Sequence, residues 1–185
     1  MNARLRQLWI GKIDGLCQVE NWKYAQFLCL ELLHEEPNFV DARRILHNIR
    51  QYTFCRKKIR RWILLSVVFF RVIWYALRIK SRHRQLLNAT DELLNIDPNN
   101  VMILRLFAEI MSCFGFLETV IFSIECIPEN KRNGDDWLLM GEAFLDLENF
   151  QMAVNVAKKI LTKSPHNMQA SDLLQKSSIE QSMRG

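Results

Sequence analysis

Apolar residues recur three and four positions apart along most of the chain, which is the spacing of a helix with one buried face. The clearest case is a pair of such segments between Trp137 and Pro165, separated by a short polar break. Two helical segments joined so closely predict an antiparallel helical hairpin. The same spacing predicts further helices over residues 3–18, 40–54 and 168–182.

The hairpin that starts at Gly134 combines small and large residues in a way that suits close helix packing. Counted from Gly134 as position 1, Gly141 stands at position 8 and Ala153 at position 20. Small side chains there let two helices approach, while large apolar residues fill the space between them. Pro165, at position 32, lacks the N–H group that would continue the second helix.

A second copy of this pattern lies near the beginning of the chain. Residues 19–46 match residues 147–174 at a constant offset of 128 positions. Both copies carry a glutamate, an asparagine and an aromatic residue at their second to fourth positions, and both carry a proline in the same place. The matched pairs further along are Ala25 with Ala153, Leu33 with Leu161, Pro37 with Pro165 and Ala42 with Ala170.

This pattern resembles the tetratricopeptide repeat (TPR) family, on the strength of Trp137, Gly141, Phe144, Phe150, Ala153 and Pro165. The resemblance implies an all-α, TPR-like α-solenoid of about four helix–turn–helix repeats plus a C-terminal capping helix. It divides the chain into a hairpin with a following helix at 1–54, a basic connecting segment at 55–66, and repeats 2–4 with the capping helix at 67–185. We expect Asp135 or Asp136 to cap the first helix of the repeat at 134.

Residues 56–84 carry an apolar run between two basic clusters. From Trp62 to Leu77 every residue is apolar except one serine and Arg71. A bilayer span needs about 20 such residues, and a central arginine costs about 2.5–3.5 kcal/mol there. If Pro98 is instead position 32 of a degenerate repeat, Arg71 falls at a position that faces the concave groove in TPR proteins. The sequence therefore favours a soluble repeat here over a surface-lying anchor or a membrane span.

Charge is distributed unevenly along the chain, which has a net charge of +5. Residues 42–90 include thirteen lysines and arginines and no aspartate or glutamate, so a basic middle lies between acidic flanks. Such clusters attract anions, but no nucleic-acid-binding motif accompanies them, which disfavours a nucleic-acid partner. A basic–apolar–basic segment at 56–80 fits an anionic membrane surface better.

Catalytic and metal-binding patterns are lacking in the sequence. The five cysteines and four histidines are scattered without metal-ligand spacing, and no phosphate-binding loop or nucleophile motif occurs. An odd number of separated cysteines is typical of reduced thiols in the cytoplasm. We therefore expect a non-enzymatic protein without a cofactor or metal, located in the cytoplasm, with association with a membrane as the alternative.

The repeat register names candidate partner-binding residues. The resemblance implies that positions 2, 5, 9, 12 and 13 of the first helix in each repeat line the groove. The candidates there are Arg71, Tyr75, Arg78, Arg105, Glu109 and Glu142, with Ser112, Leu138 and Asp146 beside them. The apolar residues Trp62, Phe69, Phe70 and Trp74 are candidates for contact with a membrane, a partner helix or another copy of the chain.

Two functions follow as hypotheses. In the first, the protein is a scaffold or adaptor whose groove binds an acidic or extended segment of another protein, because arginine donates paired hydrogen bonds to carboxylates. In the second, segment 56–80 attaches a TPR protein to a membrane. Leu138 and Glu142, at positions 5 and 9, argue against the TPR subtype that clamps a partner's C-terminal carboxylate with lysine and asparagine.

Overall fold

The computed structural model describes residues 3–54 and 83–184, and all regular elements in these two ranges are helical. Nine α-helices occur there, with a single 3-10 turn at Glu129–Lys131. In chain order they are α1 (Ala3–Gln18), α2 (Trp22–Glu35), α3 (Val40–Phe54), α4 (His83–Ile96), α5 (Val101–Cys113), α6 (Leu117–Glu125), α7 (Gly134–Asp146), α8 (Phe150–Lys163) and α9 (Met168–Arg184). The predicted all-α architecture is confirmed.

The chain forms two compact units, Met1–Leu104 and Arg105–Gly185, whose boundary falls within α5. In the first unit, α1, α2 and α3 enclose a core that includes Ile13, Cys29 and Leu46, all fully buried. In the second unit the buried side chains come from α5 to α9 and include Phe107, Met111, Val120, Ile124, Ile127, Trp137, Phe144, Ala153, Ala157, Ile160 and Leu173.

The turns inside the helical hairpins share one backbone geometry. Glu20, Gly115 and Glu148 each adopt a positive φ, of 57°, 71° and 59°. The amide N–H of the next residue then donates to a carbonyl five residues back, as in Asn149 to Phe144 at 2.8 Å. This left-handed residue ends the first helix and reverses the chain. The glutamate–asparagine pair that recurs in the sequence is therefore a turn motif.

Gly141 is the point of closest packing in the second unit. A Cβ atom at this position would lie 2.5 Å from Leu173 Cδ2 on α9 and 3.2 Å from Val156 Cγ1 on α8. Ala153 on α8 is also fully buried. The small residues that the sequence pattern requires at positions 8 and 20 thus stand where helices meet.

The cap of α7 differs from the prediction, because Asn133 rather than Asp135 or Asp136 is the N-cap. The Asn133 side chain accepts from the Asp136 N–H at 2.8 Å, and Asp136 Oδ2 accepts from the Asn133 N–H at 2.9 Å. These reciprocal bonds form a capping box, which satisfies two N–H groups that the helix leaves unpaired. Asp136 acts from the third helical position, one helical turn after the cap.

A charge cluster joins α3 to α4 in the first unit. It consists of Arg43 and Arg50, which are buried, Asp91, which is half-buried, and Asn95, which is exposed. Both arginine side chains are 4% exposed. Arg50 donates from Nε to Asn95 Oδ1 at 2.6 Å and from Nη2 to Asp91 Oδ1 at 3.1 Å. Arg43 donates to the Pro37 carbonyl at 2.9 Å and lies 3.5 Å from the same Asp91 oxygen.

The cluster places two guanidinium groups around one carboxylate in a low-dielectric interior. Burial lowers the pKa of Arg50 and of Arg43, and Asp91 opposes the shift in both. Removing a charge from water costs several kcal/mol unless a partner and hydrogen bonds compensate. Asp91 is therefore the group on which the burial of both arginines depends.

His47 adds a pH-dependent group beside this cluster. Its side chain is 8% exposed, and its pKa is lowered by burial and by the positive charge of Arg50. The amide nitrogen of Gln51 lies 2.9 Å from His47 Nε2 and 3.0 Å from Asn99 Oδ1, an arrangement that suits a neutral ring. If His47 Nε2 carried a proton, it and the Gln51 amide nitrogen would both be donors and could not hydrogen-bond to each other.

We expect the first unit to lose stability as the pH falls below about 6.5, the unperturbed value for histidine. The folded state binds that proton less readily than the unfolded chain, so acid favours unfolding and neutral pH restores full stability. Measuring the unfolding free energy across this range should show a smaller loss in His47→Gln than in the wild type. His166→Gln changes an exposed histidine and serves as the control. Equal pH dependence in all three proteins would contradict the assignment.

Candidate partner-binding surface

The exposed side of α7 is acidic. Asp135, Glu142 and Asp146 are exposed, and they lie on the side opposite Trp137 and Phe144, which are buried. Their spacing of seven and four residues places them along one stripe of the helix. These are positions 2, 9 and 13 of the repeat, where the TPR resemblance predicts a binding groove.

Two neighbouring helices contact α7. Arg105 on α5 pairs with Asp136 on α7, and Leu173 on α9 packs against Gly141 on α7. Glu109 on α5 and Asp172 on α9 are both exposed. We call the set Glu109, Asp135, Glu142, Asp146 and Asp172 the acidic surface. Lys176, also exposed on α9, contributes a positive charge next to it.

Arg105 was predicted to face a partner, but the structure shows its donors engaged within the chain. Its Nε lies 2.8 Å and 3.0 Å from the two Asp136 carboxylate oxygens, and its Nη2 lies 2.8 Å from Asp136 Oδ2. Nη2 also donates to the Lys131 carbonyl at 2.8 Å. Hydrogen bonding to Asp136 raises the pKa of Arg105. The Nε and Nη2 edge of the guanidinium, which could donate two hydrogen bonds to a partner's carboxylate, is therefore already occupied by Asp136.

The other predicted residues divide into two groups. Glu109 and Glu142 are exposed, and within the described part of the chain neither forms an ion pair. Ser112 is half-buried, Leu138 is buried and Asp146 is exposed. Outside the described residues lie Arg71, Tyr75 and Arg78, as well as Trp62, Phe69, Phe70 and Trp74.

Two features of the surface escaped the sequence analysis. The first is the pairing of Arg105 with Asp136, whose residues are 31 positions apart. The second is the alignment of Asp135 with Glu142 and Asp146, which makes the exposed side of α7 predominantly acidic. The spacing of Asp135, Glu142 and Asp146 on one helix face was a usable signal for it.

Over residues 3–54 and 83–184, no group of three or more histidine, cysteine or acidic side chains is arranged to hold a metal ion. In the same ranges no helix has the length and apolar character needed to cross a bilayer. The apolar run at 62–77 lies outside them, so the predictions of a repeat helix or a membrane attachment there stay predictions.

Comparison with solved structures identifies the fold. The first TPR of Spaghetti (RPAP3), bound to the HSP90 peptide SRMEEVD, superposes with a TM-score of 0.55 and 16% identity, covering 66% of this chain and 94% of that one. YrrB, described as a TPR protein with an unusual peptide-binding site, gives a TM-score of 0.51 and 13% identity, with 89% of each chain covered. MamA gives 0.51 and 11%, covering 96% of this chain and 83% of that one.

No protein-family model and no curated protein matches the sequence. The structural likeness, together with the repeated hairpin turns and the close approach at Gly141, establishes a TPR-type fold. The resemblance recognised in the sequence is confirmed at the level of the fold.

Proposed function

We propose that the protein is a non-enzymatic TPR scaffold that binds an extended segment of another protein on its acidic surface. The observation that carries this proposal is the set of exposed carboxylates on α5 and α7 at the repeat positions that line TPR grooves, with Asp172 exposed on the neighbouring α9. Carboxylates that lie close together repel one another, and a partner that supplies positive charge relieves this repulsion.

The charge of the surface decides the chemistry of the segment. The expectation of an acidic partner rested on Arg71 and Arg78, which lie outside the described residues. For that part of the chain, binding of an acidic partner stays a prediction. In the second unit Arg105 is paired with Asp136 in an ion pair, and the charged groups exposed on the acidic surface are mainly carboxylates. A segment with lysine or arginine at intervals therefore fits this surface, since charge complementarity steers association and sets specificity.

Peptide binding by structural neighbours supports the general role without naming a partner. The RPAP3 domain is bound to SRMEEVD, a peptide with three acidic side chains. Leu138 is buried and Glu142 is exposed and negative, so the surface described above would repel such a peptide. SRMEEVD is thus a useful negative probe for this chain.

We expect basic extended peptides to bind the full-length protein and SRMEEVD to be rejected. Fluorescence anisotropy with a panel of labelled basic, neutral and acidic peptides measures both. Glu142→Lys combined with Asp146→Lys should weaken basic-peptide binding at least tenfold, about 1.4 kcal/mol. Binding should also weaken with added salt, because the contacts are exposed.

The control is Glu125→Lys, which changes an exposed carboxylate on α6, away from the acidic surface. It alters the net charge in the same direction as either surface substitution. Because the control changes the net charge half as much as the double variant, a control loss half as large in binding free energy would assign the effect to net charge alone. Preferential binding of SRMEEVD would contradict the proposed chemistry.

The expected location is the cytoplasm, which the cysteines support. Cys17, Cys29, Cys113 and Cys126 form no disulfide with one another. Burial raises the pKa of the Cys29 thiol to about 12, so this residue behaves as a core hydrophobe. Membrane attachment through 56–80 is tested separately by washing a cell pellet with high salt and then with carbonate.

A further inference from the structure

The first hairpin exposes an apolar face that no described residue covers. Leu5 and Leu8 on α1 are 49% and 67% exposed, and Tyr24 and Phe27 on α2 are 43% and 53% exposed. The Tyr24 and Phe27 rings stack at 6.2 Å, and Lys12 Nζ lies 5.9 Å from the Tyr24 ring centre. Leu8 and Lys12 are one helical turn apart, so Lys12 lies between the leucines of α1 and the rings of α2. We call Leu5, Leu8, Tyr24 and Phe27 the outer patch.

Two glycines lie on the same face of α1. Gly11 and Gly15 are exposed and one helical turn apart, and a Cβ atom at either would meet nothing within 4 Å. Nothing within the described chain requires a glycine there, although each destabilises the helix by about 1 kcal/mol relative to alanine. Their φ angles are ordinary, so backbone strain does not explain them either. A shallow, side-chain-free strip therefore runs beside the outer patch.

The register of the hairpin sets the glycines beside the aromatic residues. Helices α1 and α2 are antiparallel, joined by the turn at 19–21 and linked by the ion pair between Arg6 and Glu36. A residue of α1 therefore lies at the same height along the hairpin as the residue of α2 for which the two residue numbers add up to about 40. Gly15 is therefore level with Tyr24, and Gly11 with Phe27 and Leu28. The face thus carries protruding rings on α2 and a depression at the same height on α1.

We propose that a second copy of this chain covers the outer patch, with α1 of each copy packed against α2 of the other. Rotation by a half-turn about an axis parallel to the helices brings the rings of one copy over the glycines of the other. Such an interface is self-complementary, as a two-fold dimer requires. Glycine lets helices approach closely, and aromatic side chains supply most of the buried area.

The charged residues that border the outer patch also support a second copy of the chain as its partner. Lys12 on α1 and Glu31 on α2 are both exposed and border the patch. In the proposed arrangement Lys12 of one copy lies within a helical turn of Glu31 in the other, twice by symmetry. Contiguous apolar patches that are rimmed by polar residues mark interaction sites on soluble proteins. A standard interface takes about 800 Å² from each partner, so flanking residues of the hairpin complete a weak-to-moderate dimer.

A charge-swap series on the full chain tests the proposal by analytical ultracentrifugation over a wide range of protein concentration. We expect a monomer–dimer equilibrium in the wild type. Lys12→Glu and Glu31→Lys should each raise the dimer dissociation constant several-fold, and the double variant should restore it, because the two charges are merely exchanged. A double variant no tighter than the single ones would overturn the pairing.

Gly15→Gln separates association from folding. Glutamine is the better helix former, so the thermal midpoint of the dilute monomer should rise, while dimerisation should weaken at least tenfold as the side chain fills the depression. Met168→Lys, at an exposed apolar residue of α9, is the control and should leave association unchanged. A protein that stays monomeric, that associates equally well with Gly15→Gln, or whose patch binds anionic vesicles instead would overturn the proposal. None of these outcomes bears on peptide binding by the acidic surface.

Discussion

Asp91→Ala is expected to lower the unfolding free energy by about 3–5 kcal/mol, the range for breaking a buried ion pair from one side. Asp91 is the carboxylate between Arg43 and Arg50, whose side chains are each 4% exposed. Removing it leaves two guanidinium groups in the interior without a counter-charge. Arginine cannot escape by losing its proton, so the cost appears as lost stability. Urea or guanidinium unfolding followed by circular dichroism measures it.

Two further variants identify the cause of that loss. Asp41→Ala removes an exposed carboxylate from the first turn of α3 and should cost at most about 1 kcal/mol. A triple variant with Arg43→Met, Arg50→Met and Asp91→Leu should recover most of the stability lost in Asp91→Ala, because apolar groups of similar volume often replace a buried ionic cluster at little cost. Failure of the triple variant to recover would show that shape, rather than charge, holds α3 to α4.

Gly141→Leu is expected to destabilise the second unit by about 3 kcal/mol, at the upper end of the range for overpacking. Even a Cβ atom at this position would approach Leu173 Cδ2 to 2.5 Å, and the rest of a leucine side chain has no space between α7, α8 and α9. The strain is relieved if α9 moves away from α7. Hydrogen exchange should therefore show faster exchange in α9 than in the other helices of that unit.

A matched glycine and a compensating change complete the test. Gly134→Leu places the same side chain at the start of α7, where nothing lies within 4 Å of an added Cβ, and should change stability by less than about 1 kcal/mol. Combining Gly141→Leu with Leu173→Ala removes the side chain that clashes and should restore part of the loss. The double variant should therefore be less destabilised than the sum of the two single variants. Equal effects of Gly134→Leu and Gly141→Leu would contradict the packing account.

Much of the fold follows from local sequence. The helices predicted over 3–18 and 40–54 correspond to α1 and α3, because spacing of apolar residues is a local property. The recurring glutamate and asparagine before an aromatic residue marked a hairpin turn twice, at Asn21 and Asn149, which are both N-caps. Such signals involve residues within about two helical turns, so no tertiary information is needed to interpret them.

Burial of charge depends on distant parts of the chain and could not be predicted in this way. Arg43 and Arg50 lie on the same face of α3 as Ala42, Leu46 and Ile49, all buried, yet an arginine on such a face normally extends to water. Their burial required Asp91 and Asn95, more than 40 positions away. The same holds for the pairing of Arg105 with Asp136, whereas the position of Arg105 in a binding groove stays a prediction.

By itself, the sequence determined the helices, their turns, the TPR-type pattern and the exposure of Glu109 and Glu142, because each depends on helical spacing and near neighbours. Only the tertiary structure decided which charges remain available to a partner, and which apolar side chains stay exposed. Leu5 shares helical spacing with Trp9 and Ile13, yet Ile13 is fully buried and Leu5 is 49% exposed. The burial of a side chain depends on which helix packs against its face, and the tertiary fold decides which helix that is.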